Sequence, residues 1–503
     1  MTYTTQLALA VSTLASVGSE VHHQTQELLK QYQRLIDQEV LTFLAQSLSP
    51  MGLLDFEHRL ATRLRELGRE LVEGVCNRLE GEDPKALPSH VQVEGEEYRI
   101  IKTKMRQPVD TLFGPITLWR HLYRPVTKDS GEKSIAPMSL ALGIVENTTP
   151  ALAEVAMRAL AGTGATQRLV QQQLETQHGV VIGTKRLRAL AERVSGRMSE
   201  ARHEFQVGRL LSLLDQANRS AGGRKPVISV GRDGITLREN EHGAFEVAST
   251  ATVTVIDRRG QRLGTVYLGF VPQPGQGQMS DQLTRLIEAV LSGWEGPLPR
   301  LAYVTDAGEN ETQYYQQVLQ RMTHPRTEEK LAWQRVVDFY HAMERVWALA
   351  AALFGAKTPA ANGWARKMGR LLKQPNGPFR VLHSAAAMRA RQALGPAAQE
   401  EYRKAYNYLC QRTQWMQYHA YKKQHLPIGS GITEAACKMV FTQRLKLSGM
   451  RWTKAGAQII LDLRVVLLSG IWDGAYRHIL KPPTTRDLLT PASEAEIPKE
   501  MAA

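Results

Sequence analysis

Short apolar runs recur in a fixed order in the middle of the chain, and two of them are followed by an aspartate. Val227–Val230 and Leu301–Thr305 are β-branched, apolar and bounded by polar residues or glycine, as buried strands are. Asp233 and Asp306 come after these runs. Because ligands gather at the carboxyl ends of strands in open α/β sheets, both carboxylates are predicted to lie at one sheet edge. Two alternating strands and a helix are predicted between them, at Val247–Ile256, Arg262–Phe270 and Gln282–Leu291.

A third acid, Glu434, stands in the segment LPIGSGITEAACK. Gly429-Ser430-Gly431 predicts a turn, and Glu434 would then lie in the first turn of a helix that runs to about Leu447. Three carboxylates suit one or two Mg²⁺ ions on a phosphodiester, because Mg²⁺ prefers oxygen ligands. The alternative for each acid is a turn former or helix cap, and Asp257 in VIDRRGQR is predicted to be one.

The order of these elements predicts an RNase H-like α/β core, and the turn Arg258-Arg259-Gly260 fits a hairpin between its alternating strands. Three segments resemble bacterial insertion-sequence transposases of the DDE class, closest to the ISKra-type lineage: GRDGITL, VVDFYHAMERVW and PIGSGITEAACKMVFTQRLKLSGMRWTKAGAQIILDLR. The resemblance is weaker toward the amino end. It implies that Asp233, Asp306 and Glu434 form the catalytic, metal-binding triad, and that an insertion separates Asp306 from Glu434.

This resemblance also implies an activity and its partners. The reaction would be metal-dependent DNA cleavage and strand transfer, with two Mg²⁺ ions or with Mn²⁺ as a substitute. The partners would be double-stranded DNA, at terminal inverted repeats and at a target, and further copies of the chain in a homo-oligomer, a dimer or larger. Two alternatives stay open, a structure-specific DNA nuclease and a domesticated, non-catalytic DNA-binding protein. The presence of all three acids argues against the second.

Residues around Glu434 and in a second motif are predicted to support the site. Lys438 lies one helical turn beyond Glu434, where it can pair with that carboxylate or, in the favoured interpretation, contact a DNA phosphate. Asp338 and His341, in RVVDFYHAMERVWALA, fit either a helix cap with a histidine in the first turn or a supporting active-site pair. The further candidates for DNA contact are Arg444, Lys446, Arg451, Trp452 and Lys454.

Composition favours phosphate polyanions as partners and a reducing cytoplasm, and the transposase resemblance implies association with the nucleoid. The formal charge of +14 favours phosphate polyanions, because neutralising them releases counterions. Three cysteines without a CxxC indicate neither a disulfide framework nor a zinc ribbon. The paired cysteines of related transposases are missing, so a zinc site is doubtful. Leu7–Ala15 lacks a basic flank and is too short to span a bilayer, so neither a signal peptide nor a membrane anchor is predicted.

A helix-turn-helix is predicted where three short helical patterns follow one another with a turn at His178-Gly179. Lys185, Arg186 and Arg188 are its candidates for DNA contact, and the alternative is a helical linker with a solvated basic face. An aromatic group further on is predicted to be core rather than a base-stacking platform: Trp415, Tyr418 and Tyr421.

Changes of pattern along the chain predict a modular organisation, with helical, small β-rich and helix-turn-helix modules before the RNase H-like core and its helical insertion. The regions are 1–88, helical, for oligomerisation or end binding; 89–145, β-rich; 146–205, helix-turn-helix-like and DNA-binding; 220–345, the first part of the catalytic domain; 346–425, the helical insertion; 426–475, the final Glu-bearing helix; and 476–503, a flexible tail.

Overall fold

The structure is a computed structural model, and it describes residues 14–80, 87–93, 96–127, 133–238, 245–447 and 450–481. The chain divides into two compact units. The first is made of Met1–Leu160, Ala165–Val194 and Tyr476–Ala503, and the second of Ala161–Gly164 and Ser195–Ala475. None of the helices among the described residues has a stretch long and apolar enough to span a membrane.

Two long helices begin the first unit, α1 (Leu14–Leu44) and α2 (Pro50–Arg78). The Ser49 hydroxyl caps α2 by accepting a backbone N–H of its first turn. The rings of Phe43 and Phe56 stack with centroids 4.7 Å apart and join the two helices. The described part of the region predicted as helical is therefore helical, while most of the apolar segment at residues 7–15 lies outside the described residues.

A three-stranded antiparallel sheet follows, in the order β1-β2-β3: β1 (His90–Val93), β2 (Glu96–Thr111) and β3 (Gly114–Pro125). The strands lie in the region predicted to be β-rich. The buried Arg120 guanidinium is 3.3 Å from the Glu80 carboxylate, so neither buried charge is left without an opposite charge. The apolar residues that share the core of this sheet are Val91, Val93, Tyr98 and Tyr123.

A short helix, α3 (Pro137–Ala141), follows the sheet within the region predicted to be β-rich. The region predicted as a helix-turn-helix is largely helical, in α4 (Pro150–Ala161), α5 (Gln167–His178) and the first part of α6 (Thr184–Arg219). Gly179 ends α5 at φ +65°, a left-handed conformation that glycine adopts without strain. The prediction of a short third helix is wrong, because α6 continues past Ser195 to a length of 36 residues. Buried apolar residues sustain this extension: Met198, Ala201, Leu210, Leu213 and Leu214.

A five-stranded mixed sheet forms the centre of the second unit. Its strands are β4 (Val227–Arg238), β5 (Phe245–Ile256), β6 (Arg262–Phe270), β7 (Arg300–Thr305) and β8 (Trp333–Val337). They take the order β6-β5-β4-β7-β8, in which β4 is antiparallel to β5, β5 to β6, and β7 and β8 run parallel to β4. The two predicted alternating strands, the strand at residues 301–305 and the hairpin turn are confirmed, and Asp257 accepts two backbone N–H bonds in that turn.

Helices connect the strands of this sheet. Helix α7 (Gly277–Gly293) carries the chain from β6, at one edge, to β7 on the far side of β4. Helix α8 (Glu309–Tyr314) continues into a π-helical turn at Tyr315–Leu319 and leads to β8. The helix predicted at residues 282–291 is the core of α7, where Leu286 is fully buried.

Strand β4 is longer than predicted, so the prediction that Asp233 follows its end is wrong. Parallel pairing with β7 stops at Val230, whereas antiparallel pairing with β5 continues past Asp233 to the end of β4. Gly231 and Gly234 look like strand terminators in the sequence, but both remain paired with β5. Asp233 therefore lies just beyond the last β4–β7 pair, at the edge where β7 also ends.

The predicted insertion is helical, in α9 (Phe339–Phe354), α10 (Pro359–Leu372), α11 (Gly377–Ala390), α12 (Pro396–Arg412) and α13 (Tyr418–Lys423). These helices form a core with residues of the sheet that include Val304 and Val336. Tyr418 and Tyr421 are buried, and their hydroxyls donate to backbone carbonyls of β8, while Trp415 is half-buried against the same core. The prediction that these aromatic residues are core is confirmed.

Helix α14 (Gly431–Cys437) carries Glu434 and continues through a π-helical turn at Lys438–Thr442 into the short α15 (Gln443–Leu445). The predicted regular helix to about residue 447 is thus widened in its middle, as α-helices often are at functional sites.

The described chain ends with α16 (Lys454–Leu468) and α17 (Trp472–Ile479). The start of the predicted tail is helical, and Tyr476 is buried there with its hydroxyl donating to the Pro150 carbonyl at 2.6 Å. Residues 482–503 lie outside the described residues.

Candidate functional site

Asp233 contacts helix α14. Its Oδ2 accepts from the Cys437 thiol at 3.2 Å, and its Oδ1 accepts from Gly234 N at 2.7 Å. Burial raises the pKa of Asp233 against these hydrogen bonds, and the negative charges of Asp306 and Glu434 raise it further. The three predicted acids therefore share one electrostatic neighbourhood, where their joint ionisation is unfavourable without a nearby cation.

Asp306 begins the loop between β7 and α8. Its Oδ1 accepts from Gly308 N at 2.9 Å, and its carbonyl oxygen accepts the Tyr408 hydroxyl at 2.7 Å. Ala307 is buried at φ +64°, a left-handed conformation that costs a non-glycine residue about 1–2 kcal/mol. Such strain persists only where surrounding contacts fix the backbone, so this loop holds Asp306 in one position.

Glu434 lies in the first turn of α14 with its side chain 44% exposed. The Ser430 hydroxyl donates to Glu434 Oε1 at 3.0 Å and does not cap the helix backbone. The Ser430 backbone N–H donates to Asp338 Oδ2. The turn before α14 is thereby tied to the start of α9, and the Glu434 carboxylate stays accessible to a ligand.

Asp338, His341 and Glu434 form a close cluster in which one ligand atom of each lies within 4.8 Å of the others. The His341 Nδ1 is 3.5 Å from Asp338 Oδ1 and 3.8 Å from Glu434 Oε1, distances that indicate ion pairing more than hydrogen bonding. Asp338 is fully buried and accepts the Tyr340 and His341 backbone N–H groups, so it caps α9. The helix-cap interpretation of Asp338 is therefore confirmed, and its role as a supporting active-site residue stays a prediction.

The charge states of this cluster follow from its contacts. Burial opposes ionisation of Asp338, but bonds from His341 and from Ser430 lower its pKa to about 2. The interaction with Asp338 raises the pKa of His341 to about 9. The raised pKa favours the imidazolium form of His341 in the metal-free protein, and this form places a positive charge beside Glu434.

Two acids, Asp233 and Asp306, lie outside this 4.8 Å cluster, and among the described residues the predicted triad does not form such a cluster. Glu434 and Asp306 both raise the pKa of Asp233, and the Cys437 thiol on the helix that carries Glu434 contacts the Asp233 carboxylate. The donor set still fits a hard cation, because the triad offers carboxylate oxygens alone and a buried carboxylate whose ionisation a cation would favour. Asp233, Asp306 and Glu434 are the residues that would hold it.

Glu311 is a fourth acid at the site that the sequence analysis missed. It is only 8% exposed, on α8, and burial raises its pKa, with further increases from the charges of Asp306 and Asp233. The Arg232 guanidinium opposes this shift. A signal was present in the sequence, because Glu311 stands three residues after Gly308, the N-cap of α8, where a capping-box acid is common.

The helix-turn-helix candidates differ in their surroundings. Arg186 forms an ion pair with Asp110, and the Arg188 Nε donates to Gln167 at 3.2 Å. Lys185 is exposed. Of the three, Lys185 is the side chain most available to DNA.

The candidates after Glu434 also separate into two groups. Arg444 is fully buried with its guanidinium 5.1 Å from the centre of the Trp452 ring, and burial lowers its pKa to about 10. Trp452 donates its indole N–H to the Leu445 carbonyl, so this pair belongs to the interior. Lys454 is 3.0 Å from the Glu246 carboxylate. Lys438, Lys446 and Arg451 are exposed, as is Lys454 beside its ion-pair partner.

The His341 ion pair predicts a pH-dependent stability in metal-free buffer. The pKa of His341 in the folded protein, about 9, is above the ordinary histidine pKa of 6.5, so the stabilisation is complete below pH 6.5 and is lost as pH rises through about 9. We expect His341→Gln to lower the free energy of unfolding, and we expect this loss to be larger at about pH 6 than at about pH 9.5. Chemical denaturation at the two pH values measures it. His419→Gln, on α13, is the control, and a wild-type advantage that is constant with pH would contradict the ion pair.

No family model matches this sequence, and a search of curated proteins gives no match either.

Proposed function

We propose that the protein is a DDE transposase of a bacterial insertion sequence, which cleaves DNA at the element ends and joins it to a target. The observation that carries the proposal is the placement of three acids: Asp233 lies on β4, Asp306 follows β7, and Glu434 lies on α14. The charges of Asp306 and Glu434 raise the pKa of Asp233. A protein gains nothing in stability from gathering carboxylates in this way, so a cationic ligand is the physical reason for it.

The strand order supports an RNase H-like catalytic domain. The sheet has three antiparallel strands followed by two strands parallel to β4. Asp233 lies on β4, and Asp306 follows the neighbouring β7. The helices α9–α13 separate both residues from Glu434 in sequence. In this proposal residues 220–345 and 426–475 form the catalytic domain, with residues 346–425 as its insertion.

The proposed cofactor is Mg²⁺, as two ions, with Mn²⁺ as a substitute. Bound ions would activate a water, and later a liberated 3′-hydroxyl, for in-line attack and stabilise the leaving oxygen. Asp306 is held by its strained loop, and Glu434 by the contacts of its preceding turn with Asp338. The His341 imidazolium can orient a phosphate oxygen beside Glu434.

Double-stranded DNA is the proposed partner, at terminal inverted repeats and at the target. The formal charge of +14 favours phosphate binding, and Lys185, Lys438, Lys446 and Arg451 are exposed cations that can contribute. Two ends must be brought together before transfer, so at least two copies of the chain are proposed to act jointly. Action on chromosomal DNA implies the cytoplasm and the nucleoid.

A strand-transfer assay tests the proposal. Purified protein is incubated with labelled DNA from the ends of the genetic element, a target plasmid and Mg²⁺ or Mn²⁺, and we expect joined products that require the metal. Cleavage without joining would identify a structure-specific nuclease instead. Binding without either reaction would identify a non-catalytic DNA-binding protein and overturn the proposed activity.

A further inference from the structure

A cleft of about 520 Å³ opens beside Asp306 in the second unit. The acidic loop after β7 and polar residues of α8 and its π-helical turn form one part of its lining, and α9 and α12 provide cationic and aromatic side chains. The lining residues that matter here are Asp306, Gln313, Gln316, Arg345, Tyr408 and Arg412.

Arg345 and Arg412 place two guanidinium groups against one aromatic ring. Their Cζ atoms are 5.0 and 4.1 Å from the centre of the Tyr408 ring, within the range of cation–π attraction. Arg412 also donates to the Tyr408 and Ala307 carbonyls, both at 3.3 Å, whereas Arg345 is exposed. In the part of the chain that the structure describes, neither guanidinium forms an ion pair with a carboxylate.

The same ring fixes these cations relative to the acidic loop. The Tyr408 hydroxyl donates to the Asp306 carbonyl, so the cation-bearing wall and the loop that carries Asp306 are joined by a direct hydrogen bond. An anionic strand that approaches Asp306 meets carboxylates that repel it. Two nearby guanidinium groups offset this repulsion, and the guanidinium geometry matches a phosphate better than an ammonium does.

We propose that the Arg345–Arg412 side of this cleft is a subsite for a backbone phosphate of the DNA strand, one to a few nucleotides from the bond that is cut. The inference rests on the proposed function, and it assigns the substrate contact to two arginines that the sequence analysis gave no role, although Arg345 lies in the segment VVDFYHAMERVW. Arg345 binds the phosphate directly, and Arg412 supplies the second charge while it holds the loop at Ala307.

A methylphosphonate scan crossed with Arg345→Ala tests this subsite by binding, without any reaction. DNA duplexes that carry one neutral methylphosphonate at successive positions near the element end are titrated with wild type and variant in Ca²⁺. At one or two positions the neutral linkage is expected to weaken wild-type binding roughly tenfold, or about 1.4 kcal/mol. It should have little further effect on the variant, because the charge that Arg345 contacts is then already without its partner. The variant's salt slope should also fall by about 0.9.

Arg380→Ala is the matched control, because Arg380 is an exposed arginine on α11 that does not line the cleft. Arg412→Lys keeps the second charge, so the methylphosphonate effect in this variant is expected to match that in the wild type. If the losses of DNA affinity caused by Arg345→Ala and by the methylphosphonate are additive at every position, the subsite is overturned. That outcome would not affect the strand-transfer test of the proposed function. A mononucleotide that displaces DNA from wild type but not from Arg345→Ala would overturn it in favour of a small phosphate ligand, and wild type that binds no DNA would overturn both proposals.

Discussion

Glu434→Gln protein is expected to bind element-end DNA with wild-type affinity and to lose cleavage and joining by about 10³-fold or more. The amide keeps the size of the side chain and its hydrogen bond with Ser430, but it removes the negative charge that a divalent ion needs. A metal contributes several kcal/mol to the transition state, and each 1.36 kcal/mol corresponds to tenfold in rate. Strand transfer and gel-shift binding, run on the same preparation, measure the two properties separately.

Asp306→Asn and Asp233→Asn should show the same loss, with one added effect at Asp233. The ionised form of a buried acid with a raised pKa costs stability at neutral pH, so Asp233→Asn is expected to raise the unfolding temperature in metal-free buffer. Glu309→Gln is the matched control, because Glu309 is an exposed acid of the cleft wall that we assign no catalytic role. Retained strand transfer in Asp306→Asn would remove that residue from the proposed site.

The sequence predicted most strands because their signal is local. Val247–Ile256 and Arg262–Phe270 alternate, and Leu301–Thr305 is short and apolar, so the pattern of each run is enough to predict a strand. The extent of β4 depends instead on its long-range pairing with β5, which keeps Gly231 and Gly234 in the strand although glycine disfavours strand conformation. The length of α6 likewise depends on buried tertiary contacts beyond Ser195 that no local pattern encodes.

The candidate site was predictable in part for a similar reason. Asp306 follows a strand and Glu434 lies at the start of a helix, and both local patterns are visible in the sequence. Burial of Glu311 depends on the fold of α8 against the sheet, and burial of Arg444 on its packing with Trp452. The sequence shows that such residues are charged, but it does not show which of them the fold withdraws from solvent.

Gly231→Ala is expected to reduce activity strongly although Gly231 is no proposed catalytic residue. A Cβ at this position of β4 would overlap the hydroxyl of Thr433, and it would lie 3.1 Å from the Thr252 hydroxyl. Those two hydroxyls share a 2.8 Å hydrogen bond that ties α14 to β5. Because Thr433 directly precedes Glu434, we expect α14 to shift away from β4 and to carry the Glu434 carboxylate with it.

Overpacking of this kind costs about 1–3 kcal/mol of stability, and a displacement of about 1 Å at a reacting group can lower the rate about 10²-fold. We therefore expect Gly231→Ala to fold with a lower unfolding temperature, to bind DNA, and to lose about that much strand transfer. Gly363→Ala is the control, because a Cβ there meets no atom within 4 Å.

A second substitution separates misplacement of Glu434 from general destabilisation. Thr433→Ala removes the hydroxyl that the new methyl group would overlap, so the double variant should recover part of the strand transfer lost in Gly231→Ala. It also loses the Thr252–Thr433 hydrogen bond, and its stability should therefore recover less than its activity. If activity instead follows the unfolding temperature in all three variants, the contact between β4 and α14 does not position Glu434, and the proposed geometry of the three acids is wrong.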